Sequence, residues 1–293
     1  MSPAAPAAIE LSRALLFTPG NRPDRFSKGA SSGADGLILD LEDAVAPASK
    51  DAARAGVIDY FRGDFRAVAP ACQRGLRVNN IHTAAGVKDL DALVSARIEP
   101  DFIVLPKVES AFEVRLYVRL LAGPQSSVPF VCSIESAAGL EQAFAIAAAD
   151  PRVRALAFGG ADLAVDLRAV LAWEPMYWGR ARVVQAGAAA AIGVLDVPQI
   201  TLDDERGLRE DCARVKAMGF TGKLAIHPRQ VIPIQESFAP SASEVARAAA
   251  MVEAFRRAGG NAVEFEGRMV EGPIVKAAER TLALARLAGI AVS

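Results

Sequence analysis

Gly36-Leu37-Ile38-Leu39-Asp40-Leu41-Glu42 is the stretch on which the fold turns. Strand alternation puts Ile38, Asp40 and Glu42 on one face and Leu37, Leu39 and Leu41 on the other. A leucine face suits a covering layer of helices, so the two acids point into the mouth of a barrel. Seven further runs share the pattern: 14–19, 76–80, 102–107, 130–135, 155–159, 194–200 and 223–227. Several are apolar for four or five residues, as expected of strands buried on both faces. Between them, 89–96 and 111–121 carry apolar residues at helical spacing, and 203–218 opens with acids that suit a helix N-terminus. Eight strands alternating with helices predict an α/β fold, a closed TIM (β/α)8 barrel over residues 11–238. An open doubly wound sheet is the rival architecture.

Residues 239–293 leave this rhythm. The stretch 243–258 reads as a helix capped by Ser243 and ended by Gly259-Gly260-Asn261. Residues 262–265 and 268–270 flank Glu266-Gly267 as a small hairpin, and 273–287 is a final helix with Pro273 in its first turn. The apolar stripe of that helix, Ile274, Ala277, Ala278, Leu282 and Leu284, has to be buried somewhere. The C-terminal part is therefore a helix–hairpin–helix appendage.

Bulk properties exclude several functions. A formal charge of −1 over 293 residues argues against nucleic acid, and 52% hydrophobic residues support a large core. No apolar run approaches the roughly 20 residues of a membrane helix. Residues 1–10 lack the basic region and apolar core of a signal peptide, and their Ala and Pro content reads as a frayed arm. Cys72, Cys132 and Cys212 have no CxxC spacing and read as buried thiols of a cytoplasmic protein. Two histidines cannot build a His-rich zinc site. There is no GxGxxG, no GxSxG and no Walker A loop, since Gly219-Phe220-Thr221-Gly222-Lys223 has the wrong spacing.

Polar residues collect where the runs end, and barrels carry their active sites at the C-terminal strand ends. Arg77 and Asn79 share a face, as do Ser133 and Glu135. Lys107, Asp162 and His227 close their own strands. Each has a plainer explanation. Asp40, Glu42 and Asp43 could cap a loop with Lys50 or Arg54, and Arg77 could be a buried ion-pair partner. Glu135 could favour the next helix dipole, Asp162 could be an N-cap, and His227 a satisfied turn histidine before Pro228. Lys107 could be a Schiff-base lysine, although nothing nearby depresses its pKa. Independent accidents would scatter to both strand ends, so the joint pattern favours a site. Glu135 and Asp162 lie on consecutive strands and can share one Mg²⁺, an ion that takes one or two carboxylates plus water and substrate oxygens. A 2-keto or 2-hydroxy acid would chelate there, with Arg77 holding its enolate or carboxylate.

Ordered motifs carry a resemblance. They are Leu16-Phe17-Thr18-Pro19-Gly20-Asn21-Arg22-Pro23; Leu39-Asp40-Leu41-Glu42-Asp43-Ala44-Val45 with Pro47 and Lys50; Arg77-Val78-Asn79; Leu105-Pro106-Lys107-Val108-Glu109; Ile134-Glu135-Ser136; Phe158-Gly159-Gly160-Ala161-Asp162-Leu163; Lys223-Leu224-Ala225-Ile226-His227-Pro228; and Gly267-Arg268-Met269-Val270-Glu271-Gly272-Pro273. In this order, over almost the whole chain, they resemble the citrate lyase β-subunit-like (CitE-like) proteins of the HpcH/HpaI aldolase superfamily, which also holds malyl-CoA and citramalyl-CoA lyases. The resemblance implies Mg²⁺ on Glu135 and Asp162, and substrate contacts from Arg77, Glu135 and Ala161. Phe17, Thr18, Arg22, Lys28, Ile226 and His227 would follow the acyl-CoA path, with Glu42 and Asp43 around the metal's waters. It also implies a homo-oligomer, trimer or hexamer, whose appendage packs on a neighbouring subunit. The implied reaction is the reversible cleavage of a 3-hydroxyacyl thioester to a short acyl thioester and a 2-keto acid. The family usually has Asp where this chain has Glu271, the acid–base residue supplied by the neighbour. The extra methylene moves the carboxylate by about 1 Å, a shift that can change rates on the order of 10²-fold. Other functions compatible with these motifs are an aldolase on a free hydroxy-keto acid, an acyl-CoA thioesterase, and a carrier-dependent subunit of a lyase complex.

Overall fold

The structure, a computed structural model, describes residues 8–63 and 69–291. Residues 1–7 of the arm expected over 1–10 and the last two residues of the appendage lie outside that range; the arm's described end is not frayed, because Ile9 begins a short 3-10 helix and is buried in the core. The chain divides into two compact units, one ending at Gln235 and one beginning at Glu236.

In the first unit eight parallel strands close into a barrel in sequence order, with β8 paired to β1. They are β1 (Ala14–Pro19), β2 (Gly36–Asp40), β3 (Gln73–Arg77), β4 (Phe102–Leu105), β5 (Phe130–Ile134), β6 (Val153–Phe158), β7 (Gly193–Asp196) and β8 (Gly222–Ala225). Closure removes the open-sheet alternative. The alternation read from 36–42 holds in space. Ile38 joins Leu15, Phe102, Val131, Leu195 and Leu224 in the barrel interior, whereas Leu37 lies outside against Gly29 of the helix Phe26–Ala30. At Gly75 a Cβ would sit 2.2 Å from the Phe102 ring, so only glycine lets that ring fill the interior.

β3 starts and ends three residues earlier than expected. Gln73 is polar and hid the strand start; it is buried and donates to Ser12 Oγ at 3.0 Å. The strand stops at Arg77, and the N–H of Asn79 goes to Asp89 Oδ2 at 2.7 Å instead of to a neighbouring strand. Several other strands also end short of the polar residues assigned to them, so Glu42, Lys107, Glu135 and His227 stand one or two positions beyond, on the loops of the mouth.

Helices cover the barrel. Thr83, Ser110 and Asp204 each accept a backbone N–H at the start of Ala84–Ala96, Ala111–Leu120 and Glu205–Met218. Two further helices, Lys50–Arg62 and Trp173–Ala190, carry no clear periodic signal; the alanines and glycines of the second blur its apolar stripe. Cys72, Cys132 and Cys212 are buried. No helix among the described residues is long and apolar enough to cross a membrane.

The second unit holds two helices, Ala242–Arg257 and Gly272–Leu287, and a hairpin of β9 (Val263–Phe265) and β10 (Arg268–Val270). Glu266 and Gly267 both have positive φ, 53° and 73°, as a two-residue hairpin turn that follows strand twist requires. Ser241, not Ser243, caps the first helix, because Glu244 sits three residues after Ser241 and completes a reciprocal capping box. Val245, Ala248, Ala278, Leu282 and Ala285 form the unit's own core. Part of the stripe is thus buried within the unit, while Ile274 and Ala277 stay exposed.

Candidate active site

Register brings the first pair together. Asp40 ends β2 and lies opposite Arg77, the end of β3. Its carboxylate accepts from Arg77 Nε and Nη2, both at 2.7 Å, and from the backbone N–H groups of Glu42 and Ala44. Loop capping and ion pairing are therefore both correct for Asp40. The fork of Arg77 is spent on Asp40, and its guanidinium lies 4.6 Å from the centre of the Phe17 ring. Lys50 Nζ donates to the carbonyls of Leu41 and Glu42 at 2.9 Å each, pinning the loop that carries the next two acids.

Glu42 is buried. Its Oε1 accepts from Lys107 Nζ at 2.6 Å, and its Oε2 lies 3.0 Å from Arg77 Nη1 but out of line for a hydrogen bond. Burial pushes its pKa up, with Arg77 and Lys107 opposing. Lys107 follows β4 and adopts a left-handed φ of 51°. Its ammonium also holds Asp43 Oδ2 at 2.9 Å and stands 3.9 Å from Glu135 Oε2. Burial works against the Lys107 charge, but its carboxylate partners outweigh it and hold the pKa above the ordinary lysine value. A lysine so held is protonated and is no Schiff-base nucleophile.

Glu135 follows β5 and is 5% exposed, and its Oε2 has no hydrogen-bond partner. Burial, reinforced by the charges of Glu42 and Asp162, pushes its pKa up to about 8. A Cβ on Gly159 would lie 2.2 Å from Glu135 Cγ, so the bare glycine makes the room this side chain occupies. Asp162 sits exposed in the first turn of the helix Gly160–Asp166, whose N-cap is Gly159, not Asp162. A cavity of about 380 Å³ is lined by Arg77, Glu135, Ala161, Asp162, Val197 and Ile200, among others.

A neighbouring groove of about 670 Å³ is lined by Phe17, Thr18, Lys28, Ile226 and His227. Phe17 and Ile226 also line the first cavity. Arg25 and Arg229 border the groove and carried no signal in the strand pattern. Arg22 stands outside the residues that line the groove, exposed and paired with Asp24. One expectation changes. Asn79 turns away from the mouth, because beyond the strand end alternation no longer applies. Its amide donates to Leu41 O and Asp89 Oδ2. His227 Nδ1 accepts the N–H of Arg229 at 3.2 Å, as a turn histidine does, while the residue borders the groove. Glu271 lies in the second unit, exposed, just before the helix Gly272–Leu287.

Among the described residues no three His, Cys, Asp or Glu side chains converge as a metal cage. Glu135, with its unpartnered buried oxygen, and Asp162 offer two carboxylates, the number Mg²⁺ takes while keeping waters. The donor chemistry fits that ion.

A closed barrel with buried carboxylates, an arginine and a lysine gathered at its C-terminal mouth defines a TIM-barrel enzyme. Residues 13–228 match the model of the HpcH/HpaI aldolase/citrate lyase family, and 184–290 match a C–C bond lyase model of the TIM-barrel fold. The chain belongs to the HpcH/HpaI aldolase/citrate lyase family. It is 35% identical to a citrate lyase subunit beta-like protein of Deinococcus radiodurans, over 93% of this chain and 96% of the relative. It is 31% identical to the mitochondrial citramalyl-CoA lyase of Homo sapiens, over 93% and 85%. The crystal structure of CitE from Mycobacterium tuberculosis in complex with magnesium, acetoacetate and coenzyme A superposes with a TM-score of 0.79 at 31% identity, covering 95% of this chain and all of that one.

Proposed function

We propose that this protein is a Mg²⁺-dependent carbon–carbon lyase. Its substrate is a 3-hydroxyacyl thioester of citryl, malyl or citramalyl type, and its products are a short acyl thioester and a 2-keto acid. The observation that carries the reading is Glu135: a buried carboxylate with a free oxygen, beside Asp162, in a cavity that also holds Arg77. The relatives named above point to the same chemistry.

Glu135 and Asp162 would hold the ion, with waters and substrate completing about six oxygen ligands. Mg²⁺, when bound, supplies Lewis acidity toward the oxygens of the keto acid. Arg77, held in plane by Asp40, keeps N–H groups for the oxygen that becomes the keto carbonyl. In cleavage the hydroxyl proton leaves to a carboxylate of the mouth, the C–C bond breaks, and its electron pair passes into the thioester as an enolate. Glu42 and Asp43 would order water beside a bound ion. Phe17, Thr18, Lys28, Ile226 and His227 guide the acyl-CoA along the groove, with Arg25 and Arg229 as cations for its phosphates. Arg22 takes part only by leaving Asp24. The enolate carbon receives its proton from Glu271 of a neighbouring subunit in a homotrimer working in the cytoplasm.

A product-release assay with a panel of hydroxyacyl-CoAs, in Mg²⁺ and in EDTA, tests the reading. Turnover should appear with Mg²⁺ and vanish with EDTA. Glu135→Gln should abolish both turnover and Mg²⁺ binding while leaving the fold intact. Normal Mg²⁺ binding by that variant would reject the assignment.

A further inference from the structure

Lys107 is the residue of the mouth to which the lyase reading gives no role. Its backbone conformation is uncommon for a residue with a side chain and persists only where the surroundings enforce it. Here they do so from both sides. The amide of Asn80 donates to the carbonyls of Pro106 and Lys107, and the N–H of Val108 donates to Ser133 O. The turn delivers the ammonium onto Glu42 and Asp43, with Glu135 Oε2 3.9 Å away. The mouth gathers the carboxyl groups of Asp40, Glu42, Asp43, Glu135 and Asp162, and the fork of Arg77 is committed to Asp40.

We propose that Lys107 is the resident counter-cation of this mouth: without a metal it holds Glu42 and Asp43 together beside Glu135, and it opposes a divalent ion at Glu135 and Asp162, so that it sets how tightly that ion is held. The inference rests on the metal reading above. Its physical content is Coulombic. A positive charge a few ångströms from a divalent ion weakens its binding, and removing that charge also releases two carboxylates toward the ion. A loop-cementing lysine predicts the opposite sign, since its loss would let the carboxylates splay and would weaken the ion.

Calorimetric titration with MgCl₂ alone, at alkaline pH where the carboxyls are ionised, separates the two. Lys107→Met, which keeps the length of the stem, and Lys107→Gln, which keeps a polar end, should each bind Mg²⁺ on the order of tenfold tighter than the parent. Lys107→Arg should stay within about threefold, because the charge remains. Unchanged or weaker Mg²⁺ binding in both neutral variants overturns the proposal while leaving the metal site standing. Glu135→Gln, run alongside, identifies the other failure. If the parent binds no Mg²⁺, or Glu135→Gln binds as the parent does, the metal reading itself is wrong, and the opposition assigned to Lys107 falls with it.

Discussion

At the scale of the residue, burial governs what Glu135 can do. Its carboxyl has lost most of its water, and Glu42 and Asp162 add negative charge, so the pKa reaches about 8. A carboxyl raised in this way binds its proton more tightly folded than unfolded. That stabilisation is complete below the unfolded value of about 4.3 and is lost as pH rises toward about 8. The metal-free protein should lose stability across that interval, and Mg²⁺ should restore it. Apparent Mg²⁺ affinity should climb about tenfold per pH unit and level off above about 8. Titration calorimetry over the range checks this; affinity that does not change with pH would show that no proton is displaced from Glu135. Gly159 guards the same side chain. In Gly159→Ala the new methyl would meet Glu135 Cγ at 2.2 Å, and the carboxylate has to move. Turnover should fall on the order of 10²-fold, with Mg²⁺ binding weakened and a stability loss of only about 1–3 kcal/mol. Parallel kinetics and urea unfolding separate the two effects.

At the scale of the element, a buried charge network fastens β7 and β8 to the helices outside them. Lys223 Nζ meets Asp196 of β7 and Asp211 of the helix Glu205–Met218, each at 2.5 Å. Arg180 of the helix Trp173–Ala190 holds the other oxygen of Asp196 at 2.8 Å. Removing one member strands the rest without compensation. Lys223→Met should lower the unfolding free energy by about 3–5 kcal/mol at neutral pH, measured in urea. Burial alone would lower the Lys223 pKa, but Asp196 and Asp211 outweigh it and raise the value. The stabilisation is therefore full below the unfolded pKa of about 10.4 and is lost only as pH rises through the higher folded value. A parent protein that softens in mild alkali, well below that range, would contradict this account.

At the scale of the whole molecule, the open question is where Glu271 acts. The barrel unit carries the proposed metal ligands, and the second unit carries Glu271. If Glu271 serves a neighbouring chain, two defective variants should complement one another. Glu135→Gln and Glu271→Ala should each be inactive as pure proteins, and subunit exchange between them should recover a measurable fraction of parent turnover. No recovery, with light scattering proving mixed oligomers, would remove the shared site. A monomer at working concentration would do so more simply. Glu271→Asp should raise turnover if the extra methylene only misplaces the carboxylate.

How much of this was written locally is clear from particular residues. The barrel was legible because apolar runs closed by polar residues are local patterns, and in 36–42 alternation alone separated Ile38 and Asp40 from the leucines. The polar strand ends also located the mouth. Beyond the strand ends the local code failed: it turned Asn79 inward, whereas Asp89 pulls it away. Nor could it show that Asp40 takes the fork of Arg77, that Gly159 makes room for Glu135, or that a left-handed turn delivers Lys107 onto Glu42. Each of these joins residues 24 or more positions apart. Such pairings depend on strand register and on the closure of the barrel. Periodicity, which is local, determined the elements and the end of the barrel that carries the charge; only the closed tertiary structure decided which charges meet.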